Sequence, residues 1–541
     1  MSVKGRKARL AVTAGLAAAL ALGGVVAPVA QAYADSGYTV TIESTSDYKV
    51  KGQYKVYCLF TGSFADTNTD NGKMGNAVAN DNYREDMRAV LNGFLADANK
   101  VPAVDATHSE LVVDTAIADG IAGLPDAKKR EFANKLAAAL KDKADCTSVN
   151  AENGTLSVTG LEAGYYLIVN PDVENNAMTS AILVPVNHNR TVSIKTSTPT
   201  VTKQTRLDGG EAADNVDIGL TGENTLQKVT YVVTGTVASN IDDYDSYNYV
   251  ITDTLPKGLK DAVTQERINT KWNVSIEAVS GERTVSVKDK FTLSLDTSGS
   301  SPKMIWTCSD LIEAMGEMDH RSAQIVLTYT PDYTPSELEK SLEGAMGAAS
   351  NSVTLTYSNN PYIGGTGSTA TTPADESKVY TYKLALKKVK ADADNHTTLL
   401  TGAKFTLKRD GAPVFKDLEV GTDGTLAFVG LDSDVEYELS ETVVPAGMKS
   451  IDPIKFKIVA TKDADGTVTK VTANKTSDPS SAATFVDTTD TDNVIDVTVT
   501  NIEGADLPLT GQQGIVAGVA AGGIVLTVSL VAISRNRKRN D

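Results

Sequence analysis

The sequence predicts a mainly β protein of tandem immunoglobulin-like β-sandwich domains, the first with a helical insertion. Three observations predict it. At 541 residues the chain exceeds what one hydrophobic core can organise. Apolar and polar residues alternate in short runs, the period of a half-buried strand. Turn dipeptides such as Asp410-Gly411, Asp423-Gly424 and Asp465-Gly466 separate those runs.

The first unit is read over residues 35–195. Tyr38 to Ile42 and Tyr54 to Phe60 have strand patterning, as do Gly160 to Asn170 and Ala181 to Val186. Between them, Asp126 to Lys141 is expected to be helical, because Phe132, Leu136 and Leu140 recur every fourth residue on one face. The second unit, 196–375, lies between the Ser/Thr/Pro stretch Thr196 to Thr200 and the Gly/Ser/Thr stretch Gly364 to Pro373. Its expected strands are Gln227 to Val237, Tyr247 to Thr254, Gln324 to Tyr329 and Ser352 to Tyr357. The third unit occupies 376–505, with short strands at regular spacing.

Charge and composition narrow the function. The net charge is −17 although both ends are basic, so the body is more acidic than the total. Such a surface repels phosphate backbones and excludes nucleic acid as a partner. The four histidines (His108, His188, His320 and His396) fall in no H-E-x-x-H motif, and there is no G-x-S-x-G or phosphate loop. No enzyme class, cofactor or metal is therefore implied. Asp66-Thr-Asn-Thr-Asp70-Asn-Gly72 has some calcium-loop spacing, but the Gly is displaced and Ala77 stands at the twelfth position, so it reads as a polar turn. Of the three cysteines, Cys58 and Cys146 share a unit and are a candidate disulfide, leaving Cys308 as a thiol.

Both ends carry address signals. Lys4, Arg6, Lys7 and Arg9 precede an uncharged run, Leu10 to Val29, and Ala32-Tyr33-Ala34 is a small-residue cleavage site, so residues 1–34 read as a signal peptide. At the other end come Leu507-Pro508-Leu509-Thr510-Gly511, then the uncharged run 514–534, then the basic residues of 535–541. The run is long enough for a transmembrane helix, and the basic tail would stay cytoplasmic. The pentapeptide resembles the LPxTG sorting signal of Gram-positive surface proteins. That resemblance implies cleavage after Thr510 by a sortase, anchoring to peptidoglycan and a cell-wall location.

Polar residues sit at the ends of three apolar stripes in the third unit. Tyr382, Leu384, Leu386 and Lys388 share one strand face; so do Val435, Tyr437, Leu439 and Glu441, and Ile495, Val497, Val499 and Asn501. Each alone is the ordinary end of a stripe reaching water. Together they are an amine, an acid and a carboxamide. Burial disfavours both Lys⁺ and Glu⁻, so Lys388 would lose its proton and Glu441 keep one. The neutral amine could then attack the Asn501 carboxamide and release ammonia, with Glu441 shuttling protons. Lys387 is adjacent, but strand parity favours Lys388. The second unit repeats the pattern with Val201 and Lys203, with Tyr247, Tyr249, Ile251 and Asp253, and with Asn351, Val353, Leu355, Tyr357 and Asn359.

These segments resemble pilin domains. Tyr437-Glu-Leu-Ser-Glu441-Thr-Val-Val-Pro445-Ala-Gly447 resembles the E box of collagen-adhesin B-type and SpaA-like pilin domains, and Thr401-Gly-Ala-Lys-Phe-Thr-Leu407 resembles their L-x-G-A-x-F-x-L strand. The resemblance implies an intramolecular Lys388–Asn501 isopeptide bond assisted by Glu441. The second unit resembles the fimbrial isopeptide-forming domain through Pro199 to Lys203, Tyr249 to Gly258 and Asn351 to Pro361. This implies a Lys203–Asn351 bond assisted by Asp253, with Asn359 as the alternative acceptor. The first unit resembles the N-terminal domain of backbone pilins through Tyr54 to Gly62 and Gly160 to Leu167. Lys195 stands where such pilins hold their polymerising lysine, although the neighbouring Tyr, Pro and Asn are absent. The expectation is a backbone pilin, polymerised head to tail with identical subunits. The second reading is a wall-anchored adhesin that binds a host surface ligand without polymerising.

Overall fold

The computed structural model describes residues 37–504, apart from 45–49, 65–73, 171–180, 194–197, 344–345, 362–367, 392–396 and 487–492. The expected signal peptide, the polar turn at 66–72, Lys195, the sorting pentapeptide, the membrane run and the basic tail lie outside the described residues. Among the described residues, no helix is long and apolar enough to cross a membrane.

The first unit has three layers. Strand Tyr38–Glu43 pairs antiparallel with Thr155–Leu161 and parallel with Arg190–Ser193 in a small sheet. A five-stranded sheet centred on Gln53–Phe64 and Gly164–Val169 packs against it. Tyr54, Val56, Tyr166 and Ile168 face the small sheet. Tyr57, Leu59, Leu167 and Val169 face helices Arg84–Asn92, Glu110–Gly123 and Asp126–Leu140. A sheet covered on both faces needs apolar residues at consecutive positions, which is why these strands read as continuous apolar runs. Phe132, Leu136 and Leu140 are fully buried, as their spacing predicts.

Three helices form this layer where one was expected. Helix Glu110–Gly123 exposes Leu111 and Val112 and carries Gly120 near its end, which blurs its period. Gly120 is there for contact: a Cβ at that position would lie 2.6 Å from Leu91 Cδ2 of the neighbouring helix.

The second unit is a sandwich of one antiparallel sheet and one mixed sheet. One contains Val201–Leu207, Val229–Thr236 and Gln324–Tyr329 side by side; the other contains Ala348–Ser358, Tyr249–Thr254 and Lys303–Cys308. Strand Val229–Thr236 alternates buried and half-buried residues along its whole length, with one face in the core. Strand Asp375–Tyr380 pairs with Ala348–Ser358, so this sheet runs past residue 375 to Tyr380 before the chain enters the third unit.

The third unit is again two sheets. Its first strand, Tyr382–Ala391, lies parallel to its last, Val494–Asn501, with Lys388 beside Val499 and Lys390 beside Asn501. The opposing sheet is an antiparallel ladder that includes Lys404–Arg409, Glu436–Val443 and Ile454–Lys462. The sheet sequences end at tight reversals, where Gly411, Gly424 and Gly466 adopt φ of 83, 72 and 74°. These are left-handed conformations that glycine adopts without steric cost.

The cysteines correct one expectation. Cys58 and Cys146 are both free. Cys58 packs with the core on the small-sheet side of the Gln53–Phe64 strand, while Cys146 packs with the helical layer on the other side. Neighbouring strand residues point to opposite faces, so Tyr57 rather than Cys58 meets Cys146, and a pleated sheet separates the two sulfurs. Alkylation of the denatured, unreduced protein should therefore modify all three cysteines. Modification of Cys308 alone, restored to three by reductant, would contradict this arrangement.

Candidate functional site

Two buried clusters bring the stripe-end residues together. In the third unit, the parallel pairing of first and last strands places Lys388 and Asn501 on the same inward face, both with no exposed surface. Lys388 Nζ contacts Asn501 Oδ1. Glu441 reaches in from the opposing sheet with its side chain fully buried: Oε1 is 3.3 Å from Lys388 Nζ, and Oε2 accepts a 3.0 Å hydrogen bond from Asn501 Nδ2. Asn501 Nδ2 also donates to the Lys449 carbonyl at 2.9 Å. Both amide hydrogens are thus engaged, which holds the carbonyl toward the amine. Phe405 closes the pocket, its ring centroid 5.7 Å from Nζ. Lys387, one position earlier, is exposed.

Burial sets the protonation of this cluster. It pushes the Lys388 amine below its ordinary pKa, with the nearby Glu441 carboxyl opposing the shift. A buried ammonium–carboxylate pair loses hydration that its mutual attraction only partly replaces, so the neutral amine is an accessible form of Lys388.

In the second unit the cluster spans the two sheets. Lys203 comes from one sheet, opposite Val233, and Asp253 and Asn351 come from neighbouring strands of the other. All three are buried. Lys203 Nζ lies 2.6 Å from Asp253 Oδ2 and donates a 3.1 Å hydrogen bond to the Tyr329 hydroxyl. That hydroxyl donates to Asp253 Oδ2 at 3.0 Å and accepts from Asn351 Nδ2 at 2.8 Å. Burial drives the Lys203 amine down and the Asp253 carboxyl up; each opposes the other's shift through their ion pair. Among the described residues, Asp253 Oδ1 and Asn351 Oδ1 have no hydrogen-bond partner. A proton on Asp253 relieves the cost of a bare buried carboxylate oxygen.

Asn359 is buried but lies just beyond the far end of strand Ala348–Ser358. Its separation from Asn351 along extended chain is about 27 Å, so the two cannot meet the same amine. Lys203 is brought to the Asn351 end. Tyr329, the hub of this cluster, was not among the expected site residues. The signal for it was present: Ile325, Leu327 and Tyr329 form an inward stripe ending in a hydroxyl, like the stripes that end in Lys388 and Asp253.

Glu441 and Asp253 thus stand beside their amines and are positioned for proton transfer. Among the described residues, no group of three or more His, Cys, Asp or Glu could hold a metal ion.

Residues 383–477 match the family described as SpaA, a prealbumin-like fold domain. No curated protein matches the chain in sequence. Among solved structures, a backbone pilin of Streptococcus pyogenes is 14% identical, covering 87% of this chain and 99% of its own, with a TM-score of 0.49. The full-length major pilin SpaD of Corynebacterium diphtheriae is 15% identical, covering 86% and 98%, with a TM-score of 0.44. The fimbrial protein FimP of Actonomyces oris is 15% identical, covering 87% and 98%, with a TM-score of 0.45.

The environments of the two neighbouring lysines separate core from surface. Lys388→Ala leaves the Glu441 carboxyl buried without its amine and should destabilise the protein by roughly 3–5 kcal/mol. Lys387→Ala should stay within about 0.5 kcal/mol of wild type. Denaturant unfolding of both variants checks this, and equal effects would contradict the assigned faces.

Proposed function

We propose that this protein is the backbone subunit of a covalent, sortase-assembled surface pilus, and that two self-formed Lys–Asn isopeptide bonds make each subunit resistant to tension. The observation that carries the reading is a buried cluster of amine, acid and carboxamide, found twice in one chain and drawn from widely separated strands each time: in direct contact in the third unit, and linked through the Tyr329 hydroxyl in the second. The pilin-like segments of the sequence and the SpaA-type third unit support it.

The net condensation is the same at both sites. In the third unit, the acid takes a proton from the ammonium, leaving a neutral amine. Nζ of Lys388 attacks Cγ of Asn501, and Glu441 returns a proton to Nδ2 as ammonia leaves. Nζ, left cationic by the attack, gives a proton back to Glu441. One C–N bond forms, one breaks, and the acid is regenerated. At the second site Lys203 and Asn351 are the reactants and Asp253 is the acid. Exclusion of water favours the neutral reactants and leaves no nucleophile to compete with the amine.

The bonds redirect force. A domain held only by noncovalent interactions is stabilised by about 5–15 kcal/mol, and sustained tension can open it. A Lys388–Asn501 bond carries load directly from first strand to last, bypassing residues 389–500. A Lys203–Asn351 bond bypasses 204–350. A sortase thiolate would attack the Thr510 carbonyl of Leu507-Pro508-Leu509-Thr510-Gly511 and release the Gly511 amine. The ε-amine of Lys195 from a second subunit would then displace the thiolate. Repetition gives an open head-to-tail fibre, finally joined to peptidoglycan. The protein is a sortase substrate and not an enzyme acting on others.

Intact mass of the purified protein should fall short of the sequence mass by two ammonia molecules, and Glu441→Ala should restore one. A full sequence mass for wild type would remove the crosslinking reading. With the cognate sortase, wild type should form a ladder that survives denaturing gels, and Lys195→Ala should abolish it. A ladder that persists in Lys195→Ala would place the linking amine elsewhere. Wild type that reaches the wall only as a monomer would favour the adhesin reading.

A further inference from the structure

The two clusters solve one geometric problem differently. In the third unit the acid is a glutamate, and its carboxyl reaches both reacting nitrogens, Lys388 Nζ at 3.3 Å and Asn501 Nδ2 at 3.0 Å. In the second unit the acid is an aspartate, one methylene shorter. Its Oδ2 is engaged by Lys203 Nζ and the Tyr329 hydroxyl, and Asn351 Nδ2 donates to that hydroxyl instead. The phenol therefore stands between the acid and the nitrogen that must leave.

We propose that Tyr329 is a catalytic residue of the second unit, relaying a proton from Asp253 to the departing Asn351 nitrogen. This rests on the isopeptide reading of that site. Before reaction the hydroxyl uses its one hydrogen on Asp253 Oδ2 and its two lone pairs on Asn351 Nδ2 and Lys203 Nζ, a complete set for a phenol. An amide nitrogen is not basic, so the direction shown is the resting one. Attack by neutral Lys203 Nζ on Asn351 Cγ makes the carbon tetrahedral and turns Nδ2 into an amine. Tyr329 then gives its proton to Nδ2 while taking one from the Asp253 carboxyl, so no free phenolate forms. The Cγ–Nδ2 bond breaks and ammonia leaves. Nζ, cationic since the attack, gives its extra proton to the Asp253 carboxylate, which is again an acid.

The phenol is also held where the relay needs it. Its ring lies in a stack between Tyr231, at 5.1 Å and 23°, and Trp272, at 5.8 Å and 17°. Strand Gln324–Tyr329 runs beside strand Val229–Thr236, which in turn pairs with the strand of Lys203. The hydroxyl is thus fixed by backbone pairing and ring packing, independently of its hydrogen bonds. Removing the oxygen alone should leave the stack in place.

The test is the rate of ammonia loss at each site, followed by intact mass and by crosslinked peptides after synthesis of the full chain. Tyr329→Phe should slow Lys203–Asn351 closure by roughly 100-fold while Lys388–Asn501 closes at the wild-type rate. Adding Asp253→Glu to Tyr329→Phe should recover much of the lost rate, because the longer acid can reach Nδ2 as Glu441 does. A Tyr329→Phe protein that closes the bond as fast as wild type overturns the relay but leaves the isopeptide intact. Failure of Asp253→Glu to rescue a slow Tyr329→Phe also overturns it, assigning Tyr329 to packing. Wild type with no Lys203–Asn351 crosslink overturns the underlying reading instead.

Discussion

The structure depends on a constraint that proteins usually avoid, the burial of ionisable groups in a dry β-sandwich core. Lys388 and Lys203 have essentially no exposed surface; each meets a buried acid, and a buried carboxamide lies against Lys388 directly and is linked to Lys203 through the Tyr329 hydroxyl. An isolated buried charge is prohibitively costly, and a buried pair is often no better than apolar residues of the same shape. A pair placed beside a carboxamide has a further option. Transfer of a proton leaves neutral groups, and condensation removes both the amine and the need to solvate it. The unfavourable electrostatics of the resting cluster therefore favour the reaction assigned to it.

Strand topology turns that local chemistry into a property of the whole chain. In the third unit the first and last strands are parallel neighbours, an arrangement that brings distant parts of the chain into one register. In the second unit the lysine and asparagine belong to opposite sheets, so a bond there would staple the sandwich across its core. The two units also meet through polar contacts. Asp217 is bonded by Ser433 and lies 3.1 Å from Lys462, while Glu223 pairs with Lys416 at 2.6 Å. Gly219 passes so close to Asp432 that a Cβ would sit 2.8 Å from its backbone nitrogen. Load leaving one unit would thus enter the next through a packed boundary.

Much of this was legible in the residues because strand parity is strict. Lys388 and Glu441 lie on the inward face two positions after a buried leucine, and Asn501 two after a buried valine, so period-two counting distinguished Lys388 from the exposed Lys387. Parity alone could not distinguish Asn351 from Asn359, since both face inward. Only the register of strand Ala348–Ser358 against its neighbours separates them. Helix Glu110–Gly123 was hidden by its exposed Leu111 and Val112 and by a glycine required for helix contact. Tyr329 was hidden for another reason: a tyrosine ending an inward stripe is an ordinary core residue until its hydroxyl is seen among three polar partners.

The most direct measurement is tandem mass spectrometry of exhaustive protease digests of the folded, mature protein. Spontaneous condensation in these cores predicts branched peptides joining Lys388 to Asn501 and Lys203 to Asn351, each one ammonia lighter than its parts. Linear peptides carrying all four residues unmodified, with no branched species, would contradict it.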